Sequence, residues 1–122
     1  MGSLYRAYKN DVQFILVYVK EAHPDDRRQM DANRRAGVIY NTPTTLQERA
    51  RVASDCVKSL KFDFPCLLDD MQNTVQQQYN AWPAKTCLVA KDGKIIYLTK
   101  GSPRGVNAQE LEAELKRLVK AE

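Results

Sequence analysis

Three side chains within residues 18–23, Tyr18, Glu21 and His23, are of types that move protons. His23 is the only histidine of the chain. An imidazole titrates near neutrality, so it could donate a proton or clamp a phenolic or carboxylate group. Each of the three also has a plain structural reading. His23 could cap a loop, Glu21 could pair with Lys20 or an arginine, and Tyr18 could be a core ring with its hydroxyl tied at a strand end. The thiols are Cys56, Cys66 and Cys87. They form no C-x-x-C, no metal-ligand spacing and no even-numbered disulfide framework. A reactive thiol needs an electropositive, partly exposed setting. Cys66 and Cys87 fall instead in strand-like runs and Cys56 flanks an apolar helix face, so all three read as inert thiols of a reduced compartment. A cysteine-based peroxidase is therefore the weakest enzymatic reading. No metal or cofactor is expected.

The elements that must position these groups are legible in order. Leu4-Tyr5-x-x-Tyr8 reads as the last turn of a helix, broken by Asn10-Asp11. Val12 to Val19 (VQFILVYV) is apolar at alternating and intervening positions, the pattern of a strand covered on both faces. Residues 21–42 have no period and read as loop, with a short strand at Val38-Ile39-Tyr40. Thr45 and Glu48 predict a capping box, the Thr45 hydroxyl taking the Glu48 amide and the Glu48 carboxylate returning to the Thr45 amide. Behind it Leu46, Ala50, Ala53, Val57 and Leu60 mark the apolar face of a helix, with Arg49, Arg51, Asp55 and Lys58 on its charged face. Phe64 to Leu68 reads as a short strand, with Pro65 suited to its start. Met71, Val75 and Tyr79 mark a shorter helix. Thr86 to Ala90 and Ile95 to Thr99 are strands joined at Asp92-Gly93, which predicts a type I′ turn with both central residues at positive φ. Asn107 caps a final amphipathic helix carrying Leu111, Leu115, Leu118 and Val119.

Size and composition bound the class. The chain has 122 residues, 43% hydrophobic and 28% charged, enough for one soluble domain with one core. Residues 1–122 are read as a single domain. No apolar run is long enough to cross a bilayer and no secretory signal stands at Met1, so the default compartment is the cytoplasm and no membrane partner is expected. The net charge of +4 and one basic cluster, Arg27, Arg28, Arg34 and Arg35, fall short of a nucleic-acid-binding face. A parallel crossover, then an antiparallel hairpin and a closing helix, imply an α/β fold, a mixed sheet flanked by helices. That order is thioredoxin-like. The same fold carries a cis-proline beside its active site just ahead of the first hairpin strand, and Pro83 is read as that residue. Pro83 and Trp82 are thus candidate substrate contacts, although packing explains Trp82 better than a binding platform does.

One family resemblance runs through nearly the whole chain. Phe14-Ile15-Leu16-Val17-Tyr18-Val19-Lys20-Glu21-Ala22-His23-Pro24-x-Asp26 resembles the stretch F-L-x-V-Y-I-x-E-A-H-x-x-D of the iodothyronine deiodinases. The similarity continues through Leu46-Gln47-Glu48-Arg49-Ala50, Pro65-x-Leu67-Leu68-Asp69-x-Met71-Gln72-Asn73, Tyr79-x-Ala81-Trp82-Pro83 and Asp92-Gly93-Lys94-Ile95-Ile96-Tyr97. The resemblance implies a thiol- or selenol-dependent oxidoreductase. Its nucleophile is a selenocysteine or cysteine between the first strand and first helix, with Tyr18, Glu21 and His23 around it. A small aromatic substrate and a thiol reductant are the implied partners.

This chain departs from the family pattern at three places. No cysteine precedes Cys56, so the strand and helix start that hold the nucleophile are expected to be missing, with most of the first helix. Pro24-Asp25-Asp26-Arg27 replaces the family's x-D-G-W. Lys100-Gly101-Ser102-Pro103-Arg104-Gly105-Val106 lacks the aromatic of the family turn, and Lys100 and Arg104 only lie near the place of a substrate-contacting basic residue. The expectation is a deiodinase-like domain that is inactive as it stands. The alternative is a non-enzymatic binding or assembly module, a homodimer formed through an exposed sheet edge.

Overall fold

The computed structural model describes residues 1–21, 41–99 and 106–121. In chain order its elements are α1 (Gly2–Tyr8), β1 (Leu16–Tyr18), α2 (Leu46–Leu60), β2 (Cys66–Leu68), α3 (Thr74–Tyr79), β3 (Cys87–Val89), β4 (Ile95–Leu98) and α4 (Ala108–Ala121). The fold is mixed α/β, as its element order requires. β1 and β2 pair in parallel, with Leu16 opposite Cys66 and Tyr18 opposite Leu68. β3 and β4 pair antiparallel, with Leu88 opposite Tyr97. Among the described residues these pairings form two separate two-stranded sheets. The expected strand at 38–40, the four clustered arginines, and Lys100 with the turn at 101–105 lie outside the described residues.

Several boundaries differ from the sequence expectation, each for a local reason. β1 is shorter than the apolar run Val12–Val19, because the amides of Asp11 and Val12 still turn back onto the Tyr8 carbonyl at the end of α1. Its residues are only partly buried, where burial on both faces was expected. α3 begins at Thr74 rather than Met71. The Asn73 amide closes a turn onto Asp70, and Asn73 itself is left-handed at φ 60°. In the hairpin only Gly93 has positive φ (84°), so the turn is not type I′. The Gly93 amide donates to the Ala90 carbonyl, the Ala90 amide to the Lys94 carbonyl, and the ladder shifts register between Leu88 and Val89. This is a loop one residue longer, with glycine at the position that demands a left-handed backbone.

The start of α2 shows the predicted cap with one change. The Thr45 hydroxyl accepts the Glu48 amide at 3.1 Å, but the Glu48 carboxylate accepts from the Thr44 amide and hydroxyl, one residue further out. At the other end Lys61 turns left-handed at φ 53°, and the Lys61 and Phe62 amides close onto Lys58 and Val57.

The buried stripe of α2 matches the predicted one only at Ala53. Leu46 and Leu60 are exposed, whereas Arg49, Val52 and Ala53 are buried. The core is built chiefly from the two ends of the chain. Leu4 of α1, Leu88 of β3, and Leu111 and Leu115 of α4 form one cluster, with Tyr8, Val12, Phe14, Tyr97 and Val106 packed against it. An aromatic group, Tyr5, Phe14, Phe62 and Phe64, with neighbouring ring centroids 4.9–5.8 Å apart, extends that core toward the entry to β2.

Candidate functional site

Because β1 and β2 run in parallel, their carboxyl ends lie side by side. That is the end of an α/β sheet where ligands bind. Tyr18 closes β1, and its carbonyl accepts the Asp69 amide at 2.9 Å. Residues 18–21 and 69–73 therefore emerge together, and α2 packs over β2.

Arg49 ties this corner together. Its residue is 3% exposed, and its guanidinium donates to the Asp70 carbonyl at 2.6 Å, to the Asn73 side-chain oxygen at 3.1 Å and to the Asp69 carbonyl at 3.4 Å. Asp69 is 1% exposed and accepts from three backbone amides, those of Asp70, Val75 and Gln76, each at 2.9 Å. Asp70 holds the Thr74 amide and hydroxyl. The segment after β2 is thus fixed by one arginine from above and two carboxylates from within.

Against that frame stand Tyr18 and Glu21. Burial pushes the Tyr18 phenol well above the ordinary tyrosine range; the charge and hydrogen bond of Glu21, and nearby Cys56, push it further and Arg49 opposes them. The phenol is therefore neutral at physiological pH and offers an O–H. Both carboxylate oxygens of Glu21 are buried without a well-formed hydrogen bond, the Tyr18 phenol being the nearby donor, and the Nε of Arg49 is likewise buried without an acceptor. Buried polar atoms of this kind ordinarily have partners. A proton donor, a carboxylate and a guanidinium nitrogen with free valences thus share one corner, an arrangement suited to gripping and protonating a polar group.

Lys20, between Tyr18 and Glu21, places its Nζ 5.6 Å from the centroid of the Trp82 ring. That contact brings the segment ahead of β3 to the same end of the molecule. The Trp82–Pro83 peptide is cis. The structure thus places Tyr18 and Glu21 together and joins Trp82 to them through Lys20; His23 lies outside the described residues. Burial raises the thiols of Cys56, Cys66 and Cys87 above their ordinary value, and Cys66 adds to the effect at Cys56. None of the three is predisposed to be a thiolate. No cluster of His, Cys, Asp and Glu able to hold a metal occurs among the described residues.

Sequence reasoning missed Arg49, Asp69 and Lys20. Arg49 was assigned to the solvated face, yet it stands three, four and seven residues before Val52, Ala53 and Cys56, which is the spacing of a shared face. Asp69-Asp70 ahead of Thr74 is a helix-start signal, since carboxylates there can take the free amides of a first turn.

The family model described as iodothyronine deiodinase matches residues 2–119. The chain is 26% identical over 116 residues to a type I iodothyronine deiodinase of Xenopus laevis, which covers 95% of this chain and 44% of the relative. It is 26% identical over 120 residues to a thyroxine 5-deiodinase of Ovis aries and 27% identical over 120 residues to that of Sus scrofa, covering 93% of this chain and 37% and 36% of those proteins. The chain thus spans less than half the length of these relatives. No helix among the described residues is long and apolar enough to cross a membrane.

Proposed function

The chain belongs to the iodothyronine deiodinase family, and from that premise we propose that it forms the proton-donating and substrate-holding side of a reductive deiodination site. The observation that carries this reading is the half-buried pair of Tyr18 and Glu21 at the carboxyl end of β1, with the Glu21 oxygens buried and lacking a well-formed hydrogen bond. Removing iodine from an aromatic ring reductively needs a soft nucleophile that takes the iodine, and a proton for the ring carbon. A thiolate or selenolate then carries the iodine as a sulfenyl or selenenyl iodide. A second thiol displaces iodide from it and leaves a disulfide or selenenyl sulfide. Tyr18, Glu21 and His23 supply and orient the proton. No cysteine among these 122 residues precedes Cys56, and the three present are held as neutral thiols, so the nucleophile comes from outside this segment.

The segment alone therefore binds an iodinated phenol but releases no iodide from it. The test is purified protein with a dithiol and a diiodophenol. Iodide release would overturn the assignment of the nucleophile. Failure to bind the phenol, or binding unchanged in Tyr18→Phe and Glu21→Gln, would overturn the site. The partner this chemistry calls for is a thiol reductant.

A second reading rests on a different observation. Among the described residues the two sheets remain separate and carry exposed apolar residues, Leu67 on β2 and Ile96 on β4 among them. Open strand edges recruit further strands. On this reading the chain is an assembly module that dimerises. Light scattering at two concentrations distinguishes the cases: a concentration-independent dimer supports assembly, and a folded monomer removes it.

A further inference from the structure

We infer that Lys20 and Trp82 together form a recognition lip for aromatic anions at the mouth of the site; this rests on the reading of Tyr18 and Glu21 as its floor. Trp82 is the only tryptophan, and 46% of it is exposed, although indole is a large group that folding normally covers. Its backbone is nonetheless firmly placed. Asn80 turns left-handed at φ 48° to end α3, and the Ala81 amide donates to the Gln76 carbonyl at 2.8 Å, which delivers Trp82 to the corner just ahead of β3. Lys20 is exposed and arrives from the other side, two residues beyond the end of β1. No carboxylate among the described residues forms an ion pair with it. Its ammonium stands over the indole at 5.6 Å instead.

An ammonium over a partly open aromatic face makes a two-part receptor. A flat, polarisable ring gains by stacking on the uncovered indole surface, and a negative group on that ring meets the ammonium. Iodinated rings are large and polarisable, and iodine beside a phenol acidifies it, so the phenolate form is available near neutrality. A neutral ligand of the same shape gains only the stacking, and a cationic one is repelled. The lip thus selects aromatic carboxylates and phenolates.

The sole tryptophan makes the test direct, since iodine quenches indole fluorescence on contact. The probes are 3-iodobenzoate and its neutral counterpart, 3-iodobenzyl alcohol, titrated into the folded chain and into Lys20→Gln and Lys20→Arg. Lys20 is exposed, so thermal midpoints of both variants should match the parent. The expected result is saturable quenching by the carboxylate, weakened about two- to fivefold in Lys20→Gln and restored in Lys20→Arg. The alcohol should respond equally in all three proteins. Linear, unsaturable quenching by both probes, or a carboxylate affinity indifferent to Lys20→Gln, overturns the lip. If the Lys20 dependence holds while Tyr18→Phe and Glu21→Gln leave iodophenol binding untouched, the lip stands and the reading of the floor fails.

Discussion

Three backbone amides end on the carboxylate of Asp69. Asp69→Ala should therefore cost about 2–4 kcal/mol in urea unfolding, since it strands buried donors at the start of α3. Asp69→Asn keeps an acceptor and should cost less. The phenol of Tyr18 makes a pH prediction. Its folded value lies above the unfolded one, so its contribution is complete below about pH 10 and is lost as pH climbs beyond that. Tyr18 and Tyr97 should ionise late in an ultraviolet titration, and Tyr18→Phe should remove one late step. Glu48 and Asp70 behave in the opposite sense. Hydrogen bonds from Thr44 and Thr74 hold them below the usual carboxylate range. Their contribution is present above about pH 4 and fades as pH falls through the lowered values, and Asp70→Asn should flatten that acid slope. At this scale the sequence disclosed which residues had useful chemistry and not where their charges would go. Tyr18 and Glu21 were visible as types. Arg49 was not, because a buried guanidinium is recognisable only once its carbonyl partners, twenty residues downstream, are in place.

Elements were more legible than their ends. The Thr45 cap, the helix behind it, the hairpin and the final helix all lie where local rules put them. Thr45→Ala should lower the stability of the chain by about 1 kcal/mol in thermal unfolding, by removing the acceptor for the Glu48 amide. Boundaries moved wherever a tertiary bond outweighed a local preference. α3 starts late because Asp69 and Asp70 capture amides further on, and the Asp92-Gly93 turn lengthens because only Gly93 goes left-handed. The predicted face of α2 was rotated because its ends are open to solvent while its arginine is not. Periodicity locates a helix well, but the identity of its buried stripe depends on what lies beneath it.

For the whole molecule, element order gave the fold class, since a parallel pair followed by an antiparallel hairpin leaves few arrangements. Which elements would share a core was hidden. Leu4 near the start of the chain and Leu111 and Leu115 near its end meet around Leu88. Truncating either of the last two to alanine should cost about 2–5 kcal/mol, measured by chemical denaturation.

That closure of one end upon the other has a consequence for how the protein is made. α1 shares its core with α4, far along the sequence, so that core cannot assemble while α4 is still to come. Until then Leu4, Tyr8 and Leu88 are exposed on a growing chain, and contacts so distant in sequence form slowly. A chain stopped before Ala108 should stay sensitive to protease throughout, whereas one that includes α4 becomes resistant in a single step. Formation of this core therefore waits for α4, and its apolar residues stay open to chaperones until α4 emerges.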